Sequence, residues 1–508
     1  APKNNDYQIT EHRLNQLGPW IKHIKEIGCN ALYIGPLFES VGHGYETTDY
    51  YKLDSRLGDN EDLKKFVKEC HHQGIHVIFD GVFNHTGRDF FAFKDIQQNR
   101  ENSQYKDWYC NVNFQGNNEY NDGFSYDNWG GYNLLVKLNL QNPAVRQYLL
   151  DVVKYWVSEF DVDGIRLDAA DVLDFGFMHE LRMLANDIKP DFWLMGEVIH
   201  GDYSRWVNPD MLNSVTNYQL YKALYSGHNE HNYFEIAHTV RYLLDKGNLP
   251  YHLYNFVDNH DVERIYTRLR NKQEFVPVHI LMYTLPGIPS IYYGSEFGIE
   301  GRKEKHSDAV LRPAINLEDY PNAVNENGCT NIIARLGNIR QKNSVFANGI
   351  YQELRLTNRQ YAFSRTNEIT EAIVVVNNDE VDSSLDIPAT GTYTELLSGE
   401  IQTVEGNLHV NLHACSGQIW MKDYDETVTR KREVKIPEIK HVAVKEETIK
   451  QVTVDHSKSY EEMSVEELQQ CVLDKLAKNG PVTDQMKRDV ANNIYHDSLV
   501  NWVKSFQN

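Results

Sequence analysis

The chain alternates short apolar runs with longer stretches of helical periodicity, and four of the apolar runs lead directly into acidic or histidine side chains. Residues 77–79 precede Asp80 and His85, residues 164–167 precede Asp168, residues 193–196 precede Glu197, and residues 256–257 precede the polar segment 258–261. Apolar runs bounded by turn signals and separated by helices are typical of the parallel strands of a βα barrel. Polar groups at the carboxyl ends of such strands share one face of the barrel. The pattern therefore predicts an α/β protein with a (β/α)8 TIM barrel and a cluster of acids at one end.

The segments between these runs complete the barrel prediction. Helices are expected over residues 11–27, 60–73, 145–159, 177–187, 234–246 and 276–285, and further strands over residues 31–34, 214–217 and 290–294. Seven strands are recognisable, whereas a closed barrel of this type has eight. The first strand is the one without a match. Either the chain begins after it, or residues 7–9 are a weak remnant of it.

Three regions depart from the rhythm of the barrel, which is assigned to residues 1–357. Residues from about 86 to 135 are rich in Gly, Asn, Asp and aromatic residues, and we expect a small inserted domain there because so long an irregular segment is usually functional. Short alternating segments over 358–424 predict a C-terminal antiparallel β-sandwich. Residues 425–457 are charged and typical of a linker, and residues 458–508 are expected to form a helical hairpin tail.

The tail carries two amphipathic patterns. Ser464 and Glu467 have the spacing of a capping box, and the apolar stripe that follows ends at Gly480-Pro481. A second stripe runs from Thr483 to about Phe506. Docking of the two helices as a hairpin is the favoured interpretation, and contact with a second copy of the chain, giving a homo-oligomer through these helices, is the alternative.

Composition narrows the classes of partner. The 508 residues carry 72 acids against 51 bases, a formal charge of −21, which argues against nucleic acid and anionic membranes and suits a neutral substrate. No apolar run is long enough to span a bilayer, and no signal peptide is visible. The six cysteines lie far apart, without the spacing of a metal site or a disulfide framework. We therefore expect free thiols in the cytoplasm, although a chain whose signal peptide has been removed would have the same pattern.

Two of the acids suit the hydrolysis of a glycosidic bond with retention of configuration. That reaction needs a carboxylate nucleophile and a carboxylic acid about 5 Å apart. Asp168 suits the nucleophile because Arg166, two residues earlier, points to the same face of the strand and keeps the carboxylate ionised. Glu197 follows an apolar run and suits the general acid, since partial desolvation raises a carboxyl pKa towards working pH.

The remaining candidates would contact the sugar. Asp261 would bind hydroxyls and support the positive charge that develops at the anomeric carbon, and His85 and His260 are natural donors to sugar hydroxyls. Each of these residues alone is more often a surface charge, a helix cap or a structural histidine. Three acids, two histidines and an arginine at successive strand ends are harder to explain in that way. Their combination predicts a glycoside hydrolase.

The four stretches resemble, in order, the four signature regions of the α-amylase superfamily of glycoside hydrolases, and the resemblance extends from about residue 9 to residue 420. It implies that Asp168 is the nucleophile, Glu197 the acid/base and Asp261 the stabiliser of the transition state. It also places further residues around the sugar that is cleaved, with a tyrosine stacking beneath it: Tyr45, Asp80, His85, Arg166 and His260. No cofactor and no catalytic metal are implied.

Two segments, residues 136–139 and 214–218, are similar to regions shared by neopullulanases and cyclomaltodextrinases. Asp171 and Val172, however, match neither the Lys-His of many α-amylases nor the Asn-Glu of that branch, which puts action on both α-1,4 and α-1,6 bonds in doubt. Asp122 and Asp127 in the insertion could bind a structural calcium ion. The favoured interpretation is that Asp122 and Asp127 are solvated side chains of a loop.

The sequence thus predicts a retaining hydrolase of α-1,4 bonds in short maltooligosaccharides or related α-glucans. A transglycosylase or glucosyl isomerase would use the same glycosyl-enzyme intermediate and is the main alternative. A non-catalytic carbohydrate-binding relative is a remote one, because such relatives lose one or more of the three acids and this chain keeps them.

Overall fold

The computed structural model describes residues 10–305, 307–424 and 458–479, together with Val490, Leu499, Val500, Val503 and Lys504. The chain divides into two compact units, one formed by Ala1–Ile199 with Trp206–Ile439 and the other by His200–Arg205 with Lys440–Asn508. The limits expected for the four domains remain predictions.

The strands of the described residues are numbered in chain order. They are β1 Ala31–Ile34, β2 Phe38–Ser40, β3 Thr47–Leu53, β4 His76–Gly81, β5 His85–Thr86, β6 Asn128–Trp129, β7 Tyr132–Lys137, β8 Gly164–Leu167, β9 Trp193–Gly196, β10 Ser214–Val215, β11 Tyr254–Asn255, β12 Ile288–Pro289, β13 Ile350–Leu356, β14 Gln360–Thr366, β15 Glu371–Asn377, β16 Ser383–Glu395, β17 Ile401–Leu412 and β18 Ser416–Lys422.

The α-helices follow the same order. They are α1 Gly18–Glu26, α2 Asn60–His72, α3 Phe91–Asn99, α4 Pro143–Phe160, α5 Phe175–Ile188, α6 Tyr218–Asn229, α7 Tyr233–Leu244, α8 Leu249–His252, α9 Ile265–Arg268, α10 Phe275–Thr284, α11 Ala323–Glu326, α12 Gly328–Lys342, α13 Val345–Asn348 and α14 Val465–Asn479.

Parallel strands in chain order form the barrel. One sheet has the order β1-β4-β8-β9-β10, β11 pairs with β12, and a parallel bridge between Thr216 and Tyr254 connects the two groups. Strands β4, β8, β9 and β10 are mostly buried, as parallel strands covered by helices require, and β8 is buried throughout, Arg166 included. The predicted TIM barrel is confirmed. Residues 7–9, the candidate remnant of the first strand, lie outside the described residues.

The ends of the helices follow from local chemistry. Helix α2 begins at a capping box in which Asp59 and Asp62 each accept a hydrogen bond from the other's backbone N–H. It is followed by Gly74, whose φ of 72° lies in the left-handed region that glycine adopts without strain. Helix α4 has the side chain of Asn142 as its cap and Pro143 as its first residue. These signals are visible in the sequence, and both predicted helices lie within two residues of the observed ones.

Two barrel strands differ from their predicted bounds. The strand expected to end at Asp258 is only β11, and the strand expected over residues 290–294 is instead β12, two residues earlier. Beyond β11 the chain is held by a side chain, because the Asp258 carboxylate accepts hydrogen bonds from the Ile265 amide and the Ser295 hydroxyl, both at 2.7 Å. Gly294 is in a left-handed conformation with φ 87° and begins a turn. Side-chain contacts therefore replace the strand ladder in this region.

The inserted segment is more ordered than its composition suggests. Helix α3 buries Ala92, Phe93 and Ile96, and the hairpin β6–β7 joins β5 in a three-stranded sheet of order β5-β7-β6. The helix is hard to recognise in the sequence because the segment around it is rich in Gly, Asn and Asp. The sheet attaches the insertion to the strand that carries His85.

The C-terminal domain is all-β, as predicted, and its six strands form one antiparallel sheet of order β13-β14-β15-β18-β16-β17. Alternate residues of β15 enter two different cores. Ala372, Val374 and Val376 pack with residues of the barrel helices, whereas Ile373 and Val375 pack within a second core made by the sheet itself. The sheet curls so that residues of β14 to β18 enclose the second core, in agreement with the predicted sandwich. Strand β13 was not predicted from the sequence.

The tail unit has a core of its own. Residues of α14 and its N-terminal flank cluster with four apolar residues from the end of the chain: Met463, Leu468, Cys471, Val472, Val490, Leu499, Val500 and Val503. The predicted capping box is present, since Ser464 and Glu467 exchange side-chain to backbone hydrogen bonds of 2.7 and 3.2 Å. Much of the predicted second helix lies outside the described residues. Within the described ranges, no helix combines the length and apolarity needed to cross a bilayer.

Candidate active site

Arg166 is the centre of the predicted acidic cluster. Its side chain is 3% exposed and contacts three carboxylates: Nη1 lies 3.0 Å from Asp80 Oδ1 and 2.8 Å from Asp168 Oδ1, and Nη2 lies 2.9 Å from Glu197 Oε2. A planar guanidinium fork can donate to several oxygens at once. One cation therefore orders three acids from three different strands.

The register of the barrel explains why these residues meet. Asp80 of β4 lies opposite Arg166 of β8, and Arg166 lies opposite Met195 of β9. Asp168 and Glu197 each come one residue after their strand, and their amides donate to the preceding strand, to Gly81 O at 3.1 Å and Leu167 O at 3.0 Å. The carboxyl ends of β4, β8 and β9 thus present their acids at the same level, as the sequence predicts.

The residue after Asp168 is conformationally strained. Ala169 has φ 48°, in the left-handed region that costs a residue with a Cβ about 1 kcal/mol or more. In this conformation its amide donates to Glu197 Oε2 at 3.0 Å. The strained conformation of Ala169 therefore allows a hydrogen bond between the backbone next to Asp168 and the Glu197 carboxyl group.

The charges of the cluster do not balance, since three carboxylates share one guanidinium. Burial raises the pKa of Asp168, and the negative charges of Glu197 and Asp80 raise it further, while Arg166 lowers it. Burial likewise raises the pKa of Asp80 against the opposing effect of Arg166. Interacting acids of this kind titrate as a group. Burial and mutual repulsion thus oppose full ionisation of the cluster, and Arg166 favours it.

Asp80 has a partner that the sequence did not indicate. The Tyr33 hydroxyl on β1 donates to Asp80 Oδ2 at 2.7 Å, and the Tyr33 ring centroid lies 5.8 Å from Cζ of Arg166. Tyr33 thus contacts both members of the Asp80–Arg166 pair. In the sequence it is one aromatic residue within an apolar strand, and only its place next to β4 gives it this role.

Tyr45, His260 and Asp261 form the other side of the site. Nε2 of His260 lies 2.8 Å from the Tyr45 hydroxyl and 3.1 Å from Asp261 Oδ2. Burial, and then the positive charges of Arg166 and Arg312, lower the pKa of His260 to about 3, so the ring is neutral. A proton on Nε2 can be donated to Asp261, which leaves the Tyr45 hydroxyl free to donate to Asp80 Oδ2 at 3.5 Å.

Arg312 is a second residue that the sequence reasoning missed. Its Nη2 lies 3.1 Å from Asp261 Oδ1 and 3.1 Å from Asp308 Oδ2, and its Nε donates to the His260 carbonyl at 3.2 Å. It comes from a loop without strand or helix periodicity, so no signal in the chain marks it. Arg312 orients the Asp261 carboxylate, which is about one third exposed, at the opening of the site.

His85 is almost completely buried, with 1% of its surface exposed. Burial lowers its pKa to about 4, and the backbone carbonyl of Tyr45 offsets part of this effect. Nδ1 lies 3.2 Å from the side-chain nitrogen Nδ2 of Asn84. Nε2 makes no hydrogen bond with any described residue. A buried polar atom without a partner calls for one, and a ligand would supply it. Seven of the eight predicted site residues are thus joined by side-chain contacts, and His85 adjoins them through the backbone carbonyl of Tyr45.

The two candidate calcium ligands are occupied by other contacts. Both oxygens of Asp122 accept hydrogen bonds from the Arg88 guanidinium, at 2.7 and 2.8 Å, and Asp127 accepts one from Asn111 at 2.8 Å. Burial alone would raise the pKa of Asp122, but Arg88 and Asn118 lower it overall. An arginine thus provides the positive charge that a calcium ion would bring, and the donor set does not fit the ion.

Two other features lie outside this group. A cavity of about 670 Å³ is found in the inserted domain between Glu101, residues 111–115 and residues 125–127, and none of the eight site residues lines it. Among the described residues, His12, Asp59 and Asp62 bring three potential metal ligands together. Asp59 and Asp62 already form the cap of α2, and His12 binds Asp62 at 2.5 Å. Neither feature supplies groups to the acidic cluster.

The chain is similar to known proteins over most of its length. A family model described as alpha amylase, catalytic domain, matches residues 17–345, and one described as alpha amylase, C-terminal all-beta domain, matches residues 355–446. The chain is 33% identical over 368 residues to a cyclomaltodextrinase of Thermoanaerobacter pseudethanolicus, covering 70% of this chain and 62% of that protein. It is 32% identical over 416 residues to neopullulanase 2 of Thermoactinomyces vulgaris, covering 78% of this chain and 69% of that protein.

Among solved structures, a debranching enzyme from Nostoc punctiforme is similar with a TM-score of 0.69 and 27% sequence identity, covering 80% of this chain and 88% of that one. The chain spans less than two thirds of the length of the cyclomaltodextrinase that it matches. The similarity therefore covers the barrel and the C-terminal sheet.

Proposed function

Because the chain belongs to the α-amylase family, we propose that it is a retaining α-glucan hydrolase that cleaves α-1,4 bonds in maltooligosaccharides. The observation that carries the proposal is the guanidinium of Arg166, which contacts Asp168 through one terminal nitrogen and Glu197 through the other. Two carboxyl groups bound to one such fork lie close together. This favours the separation of about 5 Å used by retaining enzymes over the roughly 6.5–9.5 Å of inverting ones.

In the proposed reaction Asp168 attacks the anomeric carbon while Glu197 gives its proton to the departing oxygen. The glycosyl group is then bonded to Asp168, and Glu197, now ionised, takes a proton from the water that hydrolyses this ester. The scheme needs Asp168 ionised and Glu197 protonated, and the contact of Arg166 with Asp168 favours the ionised form of the nucleophile. Arg166 stabilises the negative charge that returns to Asp168 when the ester is cleaved.

The other residues are assigned to binding. Asp261 supports the positive charge at the anomeric carbon, and His260 and Arg312 hold its carboxylate in place. His85 donates from its unpartnered Nε2 to a sugar hydroxyl. Asp80 is completely buried and supports the sugar-binding groups by accepting hydrogen bonds from Tyr33, Tyr45 and Arg166. The ring of Tyr45 packs against the sugar that is cleaved.

Substrate size and location are further parts of the proposal. The relatives named cyclomaltodextrinase and neopullulanase support a short or cyclic α-glucan as substrate. A cytoplasmic location is supported by six free cysteines, three of them buried, and by a similar protein named intracellular maltogenic amylase from Bacillus subtilis. Self-association through the tail remains a prediction. The apolar cluster within the tail favours a self-contained hairpin instead, and light scattering would distinguish the two.

A transglycosylase is the second candidate, because Val172 favours it. This residue comes four positions after Asp168 and is 50% exposed, so it offers an apolar contact surface to a second sugar. In that case a second sugar, instead of water, would attack the glycosyl-enzyme. A glucosyl isomerase would use the same intermediate, and a non-catalytic binding protein would not need Asp168 and Glu197 on one guanidinium.

The test is to incubate the protein with maltotriose and follow the products by proton NMR and chromatography. Retaining hydrolysis predicts glucose and maltose, with the α-anomer at the newly formed reducing end in the first spectra. Products longer than maltotriose would establish transglycosylation. An initial β-anomer would contradict the retaining assignment, and Asp168→Asn, the matched inactive control, should give no product.

A further inference from the structure

Trp129 is an exposed aromatic residue beside the candidate active site. It ends β6 in a hairpin whose turn, Gly130-Gly131, has φ values of 63° and 83°, a conformation suited to glycine. Trp129 is 40% exposed, and Phe91, Tyr120 and Tyr132 of the inserted domain are exposed to a greater extent. An exposed tryptophan in a paired hairpin has aromatic surface available for a ligand.

The hairpin is attached to the strand that carries His85. In the three-stranded sheet, His85 of β5 lies opposite Lys137 of β7, and β7 pairs with β6. The ring centroids of Trp129 and His85 are 6.0 Å apart, with a tilt of 39° between the planes. His85 is also the residue whose buried Nε2 has no partner among the described residues. A ligand that satisfies His85 would therefore lie within reach of the indole face.

The order of the barrel strands indicates which side of the cleaved bond Trp129 serves. Glu197, the proposed proton donor, follows β9, so the leaving group is on that side of the site. The strand β8, which ends at Asp168, separates β9 from β4, after which His85 and the hairpin come. Trp129 therefore lies on the opposite side of Asp168 from the proton donor.

From this placement, and resting on the proposed function, we propose that Trp129 is a specificity-determining residue. Its indole face binds the glucosyl unit that precedes the cleaved one on the non-reducing side. The C–H groups on the face of a glucosyl ring pack well against an aromatic plane. The site then favours donors with at least two glucosyl units on that side of the bond.

The test compares α-glucosyl fluoride with α-maltosyl fluoride, because fluoride leaves without a sugar on the leaving-group side. In Trp129→Leu, kcat/KM for α-maltosyl fluoride should fall by about tenfold or more, while that for α-glucosyl fluoride should change by less than about threefold. Trp129→Phe keeps an aromatic face and should retain most of the preference for maltosyl fluoride. Tyr132→Ala, at the other end of the same turn, is the control for damage to the hairpin and should behave as the wild type.

The results separate this inference from the proposed function. If the wild type hydrolyses both fluorides and Trp129→Leu keeps the wild-type ratio of their kcat/KM values, the role of Trp129 is wrong and the hydrolase assignment stands. An equal loss on both fluorides also overturns it, since it would mean general damage to the site. If the wild type acts on neither fluoride, the proposed function fails and the inference fails with it.

Discussion

Replacing Arg166 by Met tests how much the central cation contributes. Arg166 has contacts of 2.8–3.0 Å with Asp80, Asp168 and Glu197, and all of these side chains are largely buried. A hydrogen bond to a charged group contributes about 1.5–3 kcal/mol. Losing the contacts to Asp168 and Glu197 should therefore raise the barrier by about 3–6 kcal/mol, a fall in kcat/KM of roughly 10²- to 10⁴-fold.

The pH dependence gives a second, more specific readout. Arg166 lowers the pKa of Asp168, and the proposed nucleophile is active only when ionised. Without the cation that pKa rises, so the acidic limb of the profile of kcat/KM against pH should move to higher pH. Arg166→Lys is the matched control, because it keeps the charge and loses the fork. It should lose activity with a smaller shift of the acidic limb than Arg166→Met.

The assay is maltotriose hydrolysis between pH 4 and 9, with the melting temperature and the circular dichroism spectrum of each variant measured alongside. A folded Arg166→Met variant within tenfold of the wild type, with an unshifted acidic limb, would refute the reasoning. Equal limb shifts in the Met and Lys variants would show that the charge of Arg166 does not set the pKa of the nucleophile.

Three further predictions concern residues outside the catalytic assignments. Tyr33→Phe removes the hydroxyl that donates to Asp80 and should lower kcat by about 10- to 100-fold, at a cost of roughly 1.5–3 kcal/mol, with little change in KM. Burial raises the pKa of Glu274 to about 8, so Glu274→Gln should be more stable than the wild type in urea titrations. The margin should be negligible near pH 4.5, grow up to pH 8 and stay constant above, because only the folded state holds the proton in that interval. A chelator should leave the melting temperature unchanged, whereas Arg88→Met, which strands the buried Asp122 carboxylate, should lower stability by about 3 kcal/mol.

Each of these three predictions would be contradicted by a specific result. A Tyr33→Phe variant with wild-type kcat would mean that the hydroxyl does not position Asp80. A stability margin for Glu274→Gln that is the same at every pH would mean that Glu274 is ionised in the folded protein. A fall in the melting temperature on chelation would mean that a bound metal supports the fold.

The barrel and its acids were predictable because each signal is local. Asp80, Asp168 and Glu197 directly follow apolar runs, and the strand geometry that brings them together is a general property of the fold. The role expected for Arg166 depended only on its spacing of two residues from Asp168. Contact of all three acids with its guanidinium additionally depends on the register between β4, β8 and β9, which the sequence does not display.

The parts that were missed depend on long-range contacts. Tyr33 is separated from its partner Asp80 by 47 positions in the sequence, and Arg312 is separated from Asp261 by 51 positions. No pattern along the chain connects residues so far apart. The short β11 reflects hydrogen bonds to the Asp258 side chain that override the tendency of the apolar run to extend. The order of the strands in the C-terminal sheet follows from their pairing, whereas alternation of polar and apolar residues fixes only which side chains are buried.

The most direct test of the central claim is to identify the residue that carries the sugar in the covalent intermediate. Glu197→Gln lacks the base needed to hydrolyse the glycosyl-enzyme, and α-maltosyl fluoride can form that intermediate without an acid. Peptide mapping by mass spectrometry after a short incubation should find one maltosyl group, attached to Asp168. A label on any other residue, or a folded and binding-competent variant that never becomes labelled, would contradict the assignment of Asp168 as the nucleophile of a retaining enzyme.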